Sequence, residues 1–485
     1  MPGTRLHVLA KFIAWVKDDP MKIFWLAGMA GTGKTSIALT LCRMLDDDPS
    51  VVLGGTFFCS RSAGSISRTE VRRILATLAM SLARQSYNYA VALANELNND
   101  DCVAHKPVSD QIGRLLVKPL GALASSDRPI ILVIDALDEC SDEREMAELL
   151  KAIADFRCDA RVKFILTSRP EMHIRGTPIS NSSYNNILHL HTIGREEVTA
   201  DIRHYISNTL QAVGSDTAWY TEADVETLVR LSNGLFIFAS TVLLYIRARE
   251  NVKGRKGRLR KVVSTARAGS AATVSLEKIY EMIVLEASRS DVVDADELEA
   301  TRHALVCILR ARTSLSVEAL AELLDLEADD LRGSLERLHS VVYVPAGDTV
   351  AGLRMLHASF GDYMLSRAAV HIRITRSLGD SILARGCLHV MSTRLHFNIS
   401  RSRSSYEPNP STKPDSITLS LEYACLQWIY HVAAVPKPSS YDKEIDVAFR
   451  PRFLFWLEVT SVLDRIWRAA AMLLFAASKV SVTFK

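Results

Sequence analysis

No two of the eight cysteines (Cys42, Cys59, Cys102, Cys140, Cys158, Cys307, Cys387 and Cys425) form a C-x-x-C pair, and no Cys/His cluster has zinc spacing. That excludes the common zinc modules. It leaves the expectation of reduced, mostly buried thiols in an intracellular, cytoplasmic chain. The longest apolar runs, Leu235 to Ile246 and Ala469 to Ser478, fall short of the ~20 residues that a spanning helix needs. Both read as core helices, and no membrane span is expected. The first twenty residues hold Asp18 and Asp19 and have no apolar core, so a secretory signal is not expected. Neither H-E-x-x-H nor G-x-S-x-G occurs. Charge of one sign is also lacking: 58 Lys and Arg face 55 Asp and Glu, a net charge of +3. That balance argues against nucleic acid or another polyanion as the partner. No clear internal repeat is present.

The chain has 485 residues, 48% of them apolar and 23% charged. This is an ordinary globular balance with room for about three domains. A core of this size does not need disulfides.

Short apolar strands alternate with helices in the first part of the chain. Arg5 to Val16 has helical spacing of Leu6, Leu9, Ile13 and Val16. Lys22 to Ala27 reads as a strand, and a glycine-rich turn leads from it into a helix over Ser36 to Leu45. Gly54 to Cys59 is a second strand candidate, and Thr69 to Ala83 is helical. Ile130 to Ile134 is a continuous apolar run ending at Asp135, as suits a parallel strand buried on both faces. Met146 to Ala154 is helical and Val162 to Leu166 is another buried strand. The order implies an α/β domain over about residues 21–180. Beyond it the strand signal fades, and Glu196 to Leu210, Glu222 to Leu231 and Leu235 to Arg247 read as helices. Arg247 to Lys261 holds eight Lys/Arg against one Glu, with Gly254 and Gly257 inside. Its plain reading is a solvated linker, and its sharper one a nucleic-acid or nuclear-import patch. Helices over Arg302 to Arg310, Val317 to Leu324 and Asp329 to His339 then precede two strands, Val341 to Val344 and Val350 to Leu356, around an Ala346-Gly347-Asp348 turn. This is the order of a winged helix, which need not bind DNA. Residues 400–418, rich in Ser and Pro, read as a loop. Helical segments return towards the C-terminus.

The sharpest chemical signal is Gly28-Met29-Ala30-Gly31-Thr32-Gly33-Lys34-Thr35, a match to G-x-x-x-x-G-K-[ST] between a strand and a helix. Gly28 and Gly33 let the backbone curl where a Cβ would clash. The loop's N–H groups then face phosphate oxygens, and the helix adds its positive N-terminus. Lys34 supplies a charge for the β- and γ-phosphates, and Thr35 a hydroxyl for Mg²⁺. Gly28, Gly31, Thr32, Gly33, Lys34, Thr35 and Ser36 are the candidate nucleotide-binding residues. Asp135 is the candidate Mg²⁺-holding acid, about a hundred residues on. Asp138 and Glu139 follow just beyond the strand end, and either could orient or deprotonate an attacking water, with Glu139 preferred. The alternative is that both acids only stabilise the next helix. Arg169, at the end of the third buried strand, is placed to sense a γ-phosphate or to pair with Asp138 or Glu139. Thr412-Lys413-Pro414-Asp415 fits a guanine-reading T-K-x-D pattern but lies in the Ser/Pro loop, and reads as coincidence.

Together FWLAGMAGTGKTSIA at 24–38, ILVIDALDEC at 131–140 and FILTSRPE at 164–171 resemble the NACHT family of STAND P-loop NTPases, in its fungal, nephrocystin-3-like branch. The acidic pair resembles that family's extended Walker B. NGLFIFASTVLLYI at 233–246 is similar to its lid helix, and MLHASFGDYML at 355–365 to the end of its winged helix. The implied fold is an α/β P-loop NTPase core, a parallel sheet with helices on both faces, followed by helical lid, winged-helix and α-helical regions. The implied boundaries are a lead-in helix at 1–20, the NTPase at 21–180, the lid at 190–265, the winged helix at 275–370 and a C-terminal helical region at 375–485. The resemblance implies a switch that binds ATP or ADP with Mg²⁺ and hydrolyses slowly. His357 would touch the β-phosphate of ADP in the closed state. Exchange would open the molecule for self-assembly, with an unidentified protein trigger and effector. Gly234-Leu235-Phe236 stands where related NTPases often have Gly-x-Pro. The short lead-in leaves no room for an N-terminal effector domain, so either the chain is a truncated product or partners supply sensing and signalling. A ring-forming turnover ATPase and a non-hydrolysing nucleotide-binding scaffold are the alternative readings.

Overall fold

The computed structural model describes residues 3–60, 70–98, 103, 106–123, 128–140, 142–180, 185–213, 219–248, 252–268, 276–288, 295–345, 352–366, 374–404, 406, 408–410 and 412–479. Cys102 and the 346–348 turn lie outside them. The chain divides into two compact units, one over residues 1–61 and 65–274, the other built on 275–485.

The first unit is organised by a five-stranded, all-parallel sheet in the order β2-β3-β4-β1-β5. The strands are β1 (Ile23–Ala27), β2 (Val52–Phe58), β3 (Ile130–Asp135), β4 (Val162–Ser168) and β5 (Asn186–His189). Every residue of β1, β3 and β4 is buried, because helices cover both faces. Alternation along β3 distributes the core. Ile130, Leu132 and Ile134 face a layer that includes α3 (Arg72–Gln85), α4 (Tyr87–Asn98) and α5 (Glu143–Ala154). Ile131 and Val133 face α1 (Leu6–Asp18) and α2 (Lys34–Asp46), through Phe12, Trp15, Ile37 and Leu41. Lys163 is the polar exception on β4. Its ammonium reaches the end of α1 and donates to the carbonyls of Trp15 and Asp19 at 2.5 and 2.6 Å. Those carbonyls are among the ones a helix end leaves unsatisfied.

The sequence reading contained four of these strands. It missed β5, which is four residues long and half-buried throughout, so it carries little apolar signal.

Four helices complete the first unit: α6 (Arg195–Val213), α7 (Glu222–Ser232), α8 (Phe236–Arg247) and α9 (Val252–Ala268). The expected basic linker is corrected here, since most of it lies in α9. Leu259, Val262 and Val263 of α9 are buried, a stripe at helical spacing that the surrounding cations mask in composition. Arg258 lies over the Tyr245 ring and donates to the Tyr245 carbonyl at 2.6 Å.

The second unit opens with α10 (Leu276–Ala287), α11 (Ala295–Arg310), α12 (Val317–Leu324) and α13 (Ala328–Glu336). An antiparallel pair follows, with Val342 opposite Met355 and Tyr343 opposite Arg354, and then α14 (Ala358–Ser366). The region beyond is helical, led by α15 (Arg376–Arg394) and α16 (Leu419–Ala434). Among the described residues, no helix is long and apolar enough to cross a membrane. A buried polar network ties α15 and α16 to the end of α11. Asp380 accepts from Arg310 Nε and Nη2 at 3.0 and 2.9 Å, and pairs with His431 Nδ1 at 3.0 Å. His431 Nε2 meets the Tyr423 hydroxyl at 2.7 Å, and that hydroxyl accepts from the Arg312 amide at 3.0 Å. Asp380 is 2% exposed and His431 1%, so removing either member strands its partners in a medium that cannot solvate them. Asp380→Ala is therefore expected to destabilise this unit by about 3 kcal/mol, measured as the loss in urea-unfolding free energy. A loss within error of zero would show that Arg310 and His431 find water instead.

Candidate functional site

The site is assembled at the carboxyl edge of the sheet, where β1, β3 and β4 all end. Gly28 follows β1, and its amide donates to the Ser168 carbonyl at 3.1 Å, extending the β1–β4 ladder. Gly31 has φ +76° and Gly33 φ +94°, both in the left-handed region that favours glycine. The expectation of a steric need at Gly33 is refined by this. A Cβ there would meet open space, so the dihedral alone requires glycine, whereas a Cβ on Gly31 would come within 2.1 Å of Ile237 Cγ2.

The loop's carbonyls are engaged by donors from inside and outside the loop. Lys34 Nζ donates to the carbonyls of Gly28 and Met29 at 2.7 and 3.0 Å. The Thr32 hydroxyl donates to the Met29 carbonyl, the Ile237 amide to the Gly31 carbonyl and the Arg5 guanidinium to the Thr32 carbonyl, at 2.9, 3.2 and 3.3 Å. Helix α2 starts at Lys34 with no side-chain cap, so the amides of Lys34, Thr35 and Ser36 are the orphan donors of its first turn. A phosphate-sized anion fits such a nest.

Asp135 ends β3 at 1% exposure. Its Oδ1 accepts from the Thr167 hydroxyl at 2.5 Å, and Thr35 is near enough to favour its charged form. Burial pushes the Asp135 carboxyl above its ordinary range, against the pull of the two hydroxyls and of Lys34. Burial likewise lowers the Lys34 ammonium, while Asp138, Asp135 and Glu139 draw it back up. A carboxylate beside a hydroxyl is the hard oxygen donor set that Mg²⁺ takes.

The chain leaves β3 through Ala136, a non-glycine residue at φ +57°. The Ala136 amide is held by the Thr167 hydroxyl at 2.9 Å. The short turn Leu137–Glu139 then carries the acidic pair. The two acids differ. Asp138 is buried, and its oxygens take the Arg169 amide at 2.8 Å and Arg169 Nε at 3.0 Å. Glu139 is half-buried and adjoins the same group of charges. Arg169 thus sits at this edge as an ion-pair partner of Asp138.

His357 belongs to the second unit. There its Nδ1 accepts from the Ser359 amide at 3.1 Å and meets the Ser359 hydroxyl at 2.6 Å.

Sequence reasoning missed three contributors. Thr167 bridges β3 and β4 with one hydroxyl, and only its position beside Arg169 hinted at it. Arg5, 5% exposed, contacts the Asp201 carboxylate through its amide and lies 5.0 Å from the centre of the Phe236 ring. Ile237 had no signal, because its contribution is a backbone amide.

Asp135 offers a direct test of the electrostatics. Its folded pKa is raised, so the cost of its charge is fully present above that pKa and is relieved as pH falls through it. Asp135→Asn keeps an oxygen acceptor and removes the charge. It is expected to raise the thermal midpoint at pH 7, with the gain shrinking as pH is lowered through the raised pKa. A gain that holds constant with pH would contradict this assignment.

Residues 3–169 match the model of the family described as Nephrocystin 3, N-terminal. The chain is 22% identical to the vegetative incompatibility protein HET-E-1 of Podospora anserina, over 93% of this chain and 34% of that protein. It therefore spans about a third of the length of that curated relative. Among solved structures it is similar to a Signal Transduction ATPase with Numerous Domains (STAND) protein with a tetratricopeptide repeat sensor from Pyrococcus horikoshii, at 12% identity and a TM-score of 0.44, covering 96% of this chain and 57% of that one. It is also similar to Cdc6p from Pyrobaculum aerophilum, at 12% identity and a TM-score of 0.35, covering 78% and 93%. The family match takes in the phosphate loop, the acidic end of β3 and the end of β4, and with the HET-E-1 similarity it supports reading this segment as a NACHT-like STAND P-loop NTPase domain.

Proposed function

We propose that this chain is a nucleotide-controlled signalling switch that binds ATP or ADP with Mg²⁺ and hydrolyses ATP slowly. The observation that supports the reading is the buried Asp135 at the carboxyl end of β3, whose titration is lowered by both Thr35 and Lys34 of the phosphate loop. In this reading the amides of the 28–36 loop and Lys34 hold the phosphates, and Thr35 and Asp135 hold Mg²⁺. Glu139 orients the attacking water, because Asp138 is occupied by Arg169. Asp138 keeps Arg169 at the strand edge, close to where a γ-phosphate would lie. Hydrolysis resets the state, and product flux is not the purpose. His357 touches the β-phosphate of bound ADP, so that losing or exchanging the nucleotide shifts the balance between closed and open states. Exchange then opens the molecule and permits self-assembly, within a pathway whose trigger and effector are proteins.

Lys34→Ala is expected to weaken nucleotide binding by about tenfold or more, since it removes the phosphate-facing cation. Titration of a fluorescent ATP analogue measures it, and equal affinity in the two chains would refute the site. Glu139→Gln should leave binding intact and abolish single-turnover hydrolysis. If the parent and the variant both fail to hydrolyse, the protein is a nucleotide-binding scaffold. Rapid steady-state turnover raised by DNA or polypeptide would instead identify a motor. His357→Leu should release ADP faster and self-associate more, and an unchanged ADP off-rate with unchanged elution volume would remove His357 from the switch.

A further inference from the structure

Cys59 follows the last residue of β2, and Cys140 follows Glu139 at the end of the acidic turn. Their Sγ atoms are 3.4 Å apart, and the residues are 5% and 6% exposed. The backbone holds them there. The Cys59 amide donates to the Asp135 carbonyl at 3.0 Å, and the Cys140 amide to the Leu137 carbonyl at 3.2 Å. The pair therefore joins the ends of two neighbouring strands at the rim of the site. Among the described residues, no other two thiols are in hydrogen-bond contact.

We propose that Cys59 and Cys140 form a redox-sensitive dithiol whose closure to a disulfide shifts the acidic turn and stops hydrolysis while leaving nucleotide binding intact. The oxidant is a low-molecular-weight disulfide of the glutathione class. One protein thiol loses its proton, and its sulfur attacks the small disulfide, breaking that S–S bond and expelling one small thiolate. The second thiol, deprotonated in turn, attacks the mixed disulfide and expels the other. Two electrons pass from the protein sulfurs to the oxidant, and both protons end on the small thiols.

The geometry explains why closure would be felt. An S–S bond is about 2.05 Å long, so the sulfurs must approach by about 1.4 Å from where they stand. Cys140 is bonded directly to Glu139, so the displacement is passed to that carboxylate. A misplacement of about 1 Å at a reacting centre can cost about 100-fold in rate. Neither cysteine belongs to the 28–36 loop, so the phosphate contacts are spared. Burial and the neighbouring thiol keep Cys59 protonated, which makes the first step slow and dependent on local opening.

The effect on hydrolysis rests on the proposed role of Glu139, whereas formation of the bond does not. The full chain is incubated with glutathione disulfide, alkylated and digested without reduction. The expected result is a Cys59–Cys140 linked peptide, with single-turnover ATP hydrolysis reduced at least about tenfold, restored by dithiothreitol, and unchanged affinity for a fluorescent ATP analogue. Cys59→Ser and, separately, Cys140→Ser should hydrolyse normally and lose the inhibition. Absence of the linked peptide while other thiols have formed mixed disulfides overturns the proposal, as does the linked peptide with unaltered hydrolysis. A reduced parent that never hydrolyses counts against the proposed function alone. The linked peptide, together with a thermal midpoint that rises on oxidation and falls back on reduction, then supports the dithiol, and its absence refutes it.

Discussion

The first unit depends on one desolvated carboxylate. Asp135 is delivered by a strand buried on both faces, and water cannot reach it to solvate its charge. The Thr167 hydroxyl replaces part of that water. In doing so it ties β4 to the end of β3, while Thr35 at the start of α2 favours the charged form of the same carboxyl. The same Thr167 oxygen accepts the Ala136 amide, which helps to hold a left-handed alanine that would otherwise relax. The acidic turn and the edge of the sheet are thus set by a single polar contact point.

The sequence was legible where one physical constraint dominates. Strands buried on both faces need continuous apolar runs, and β1, β3 and β4 supply them. The phosphate loop needs glycines at left-handed dihedrals and a lysine at the helix start, and both are visible as letters. Legibility failed where two signals overlapped or none existed. In α9 the cations of the solvent side outnumber the buried Leu259, Val262 and Val263, so composition suggested a linker. Strand β5 sits at the edge of the sheet and is half-buried, so little apolar alternation is demanded of it. Asp138 and Glu139 are adjacent acids that no local pattern separates. Only the tertiary placement of Arg169 distinguishes them, by taking both oxygens of one and leaving the other at the rim. The Cys59–Cys140 contact is equally non-local, joining residues 81 positions apart.

The phosphate loop is often described by its inward amides, but those amides can face inward only if the carbonyls are satisfied elsewhere. Here the carbonyls of Gly28 and Met29 take Lys34, that of Gly31 takes the Ile237 amide, and that of Thr32 takes Arg5. The last two donors come from outside the loop. Ile237 lies in the first turn of α8, and Arg5 precedes α1, with its ring contact to Phe236 of α8 and its amide on Asp201 of α6. The contact at Gly31 has no slack, because the space a Cβ would need is filled by Ile237. Any rearrangement of the loop backbone must therefore move, or break, the hydrogen bond that holds the first turn of α8. The converse also holds, since coupling between two equilibria is reciprocal. Displacing α8 removes the donor that satisfies the Gly31 carbonyl. The loop and α8 are in this sense one conformational element, and the lead-in residue Arg5 belongs to it.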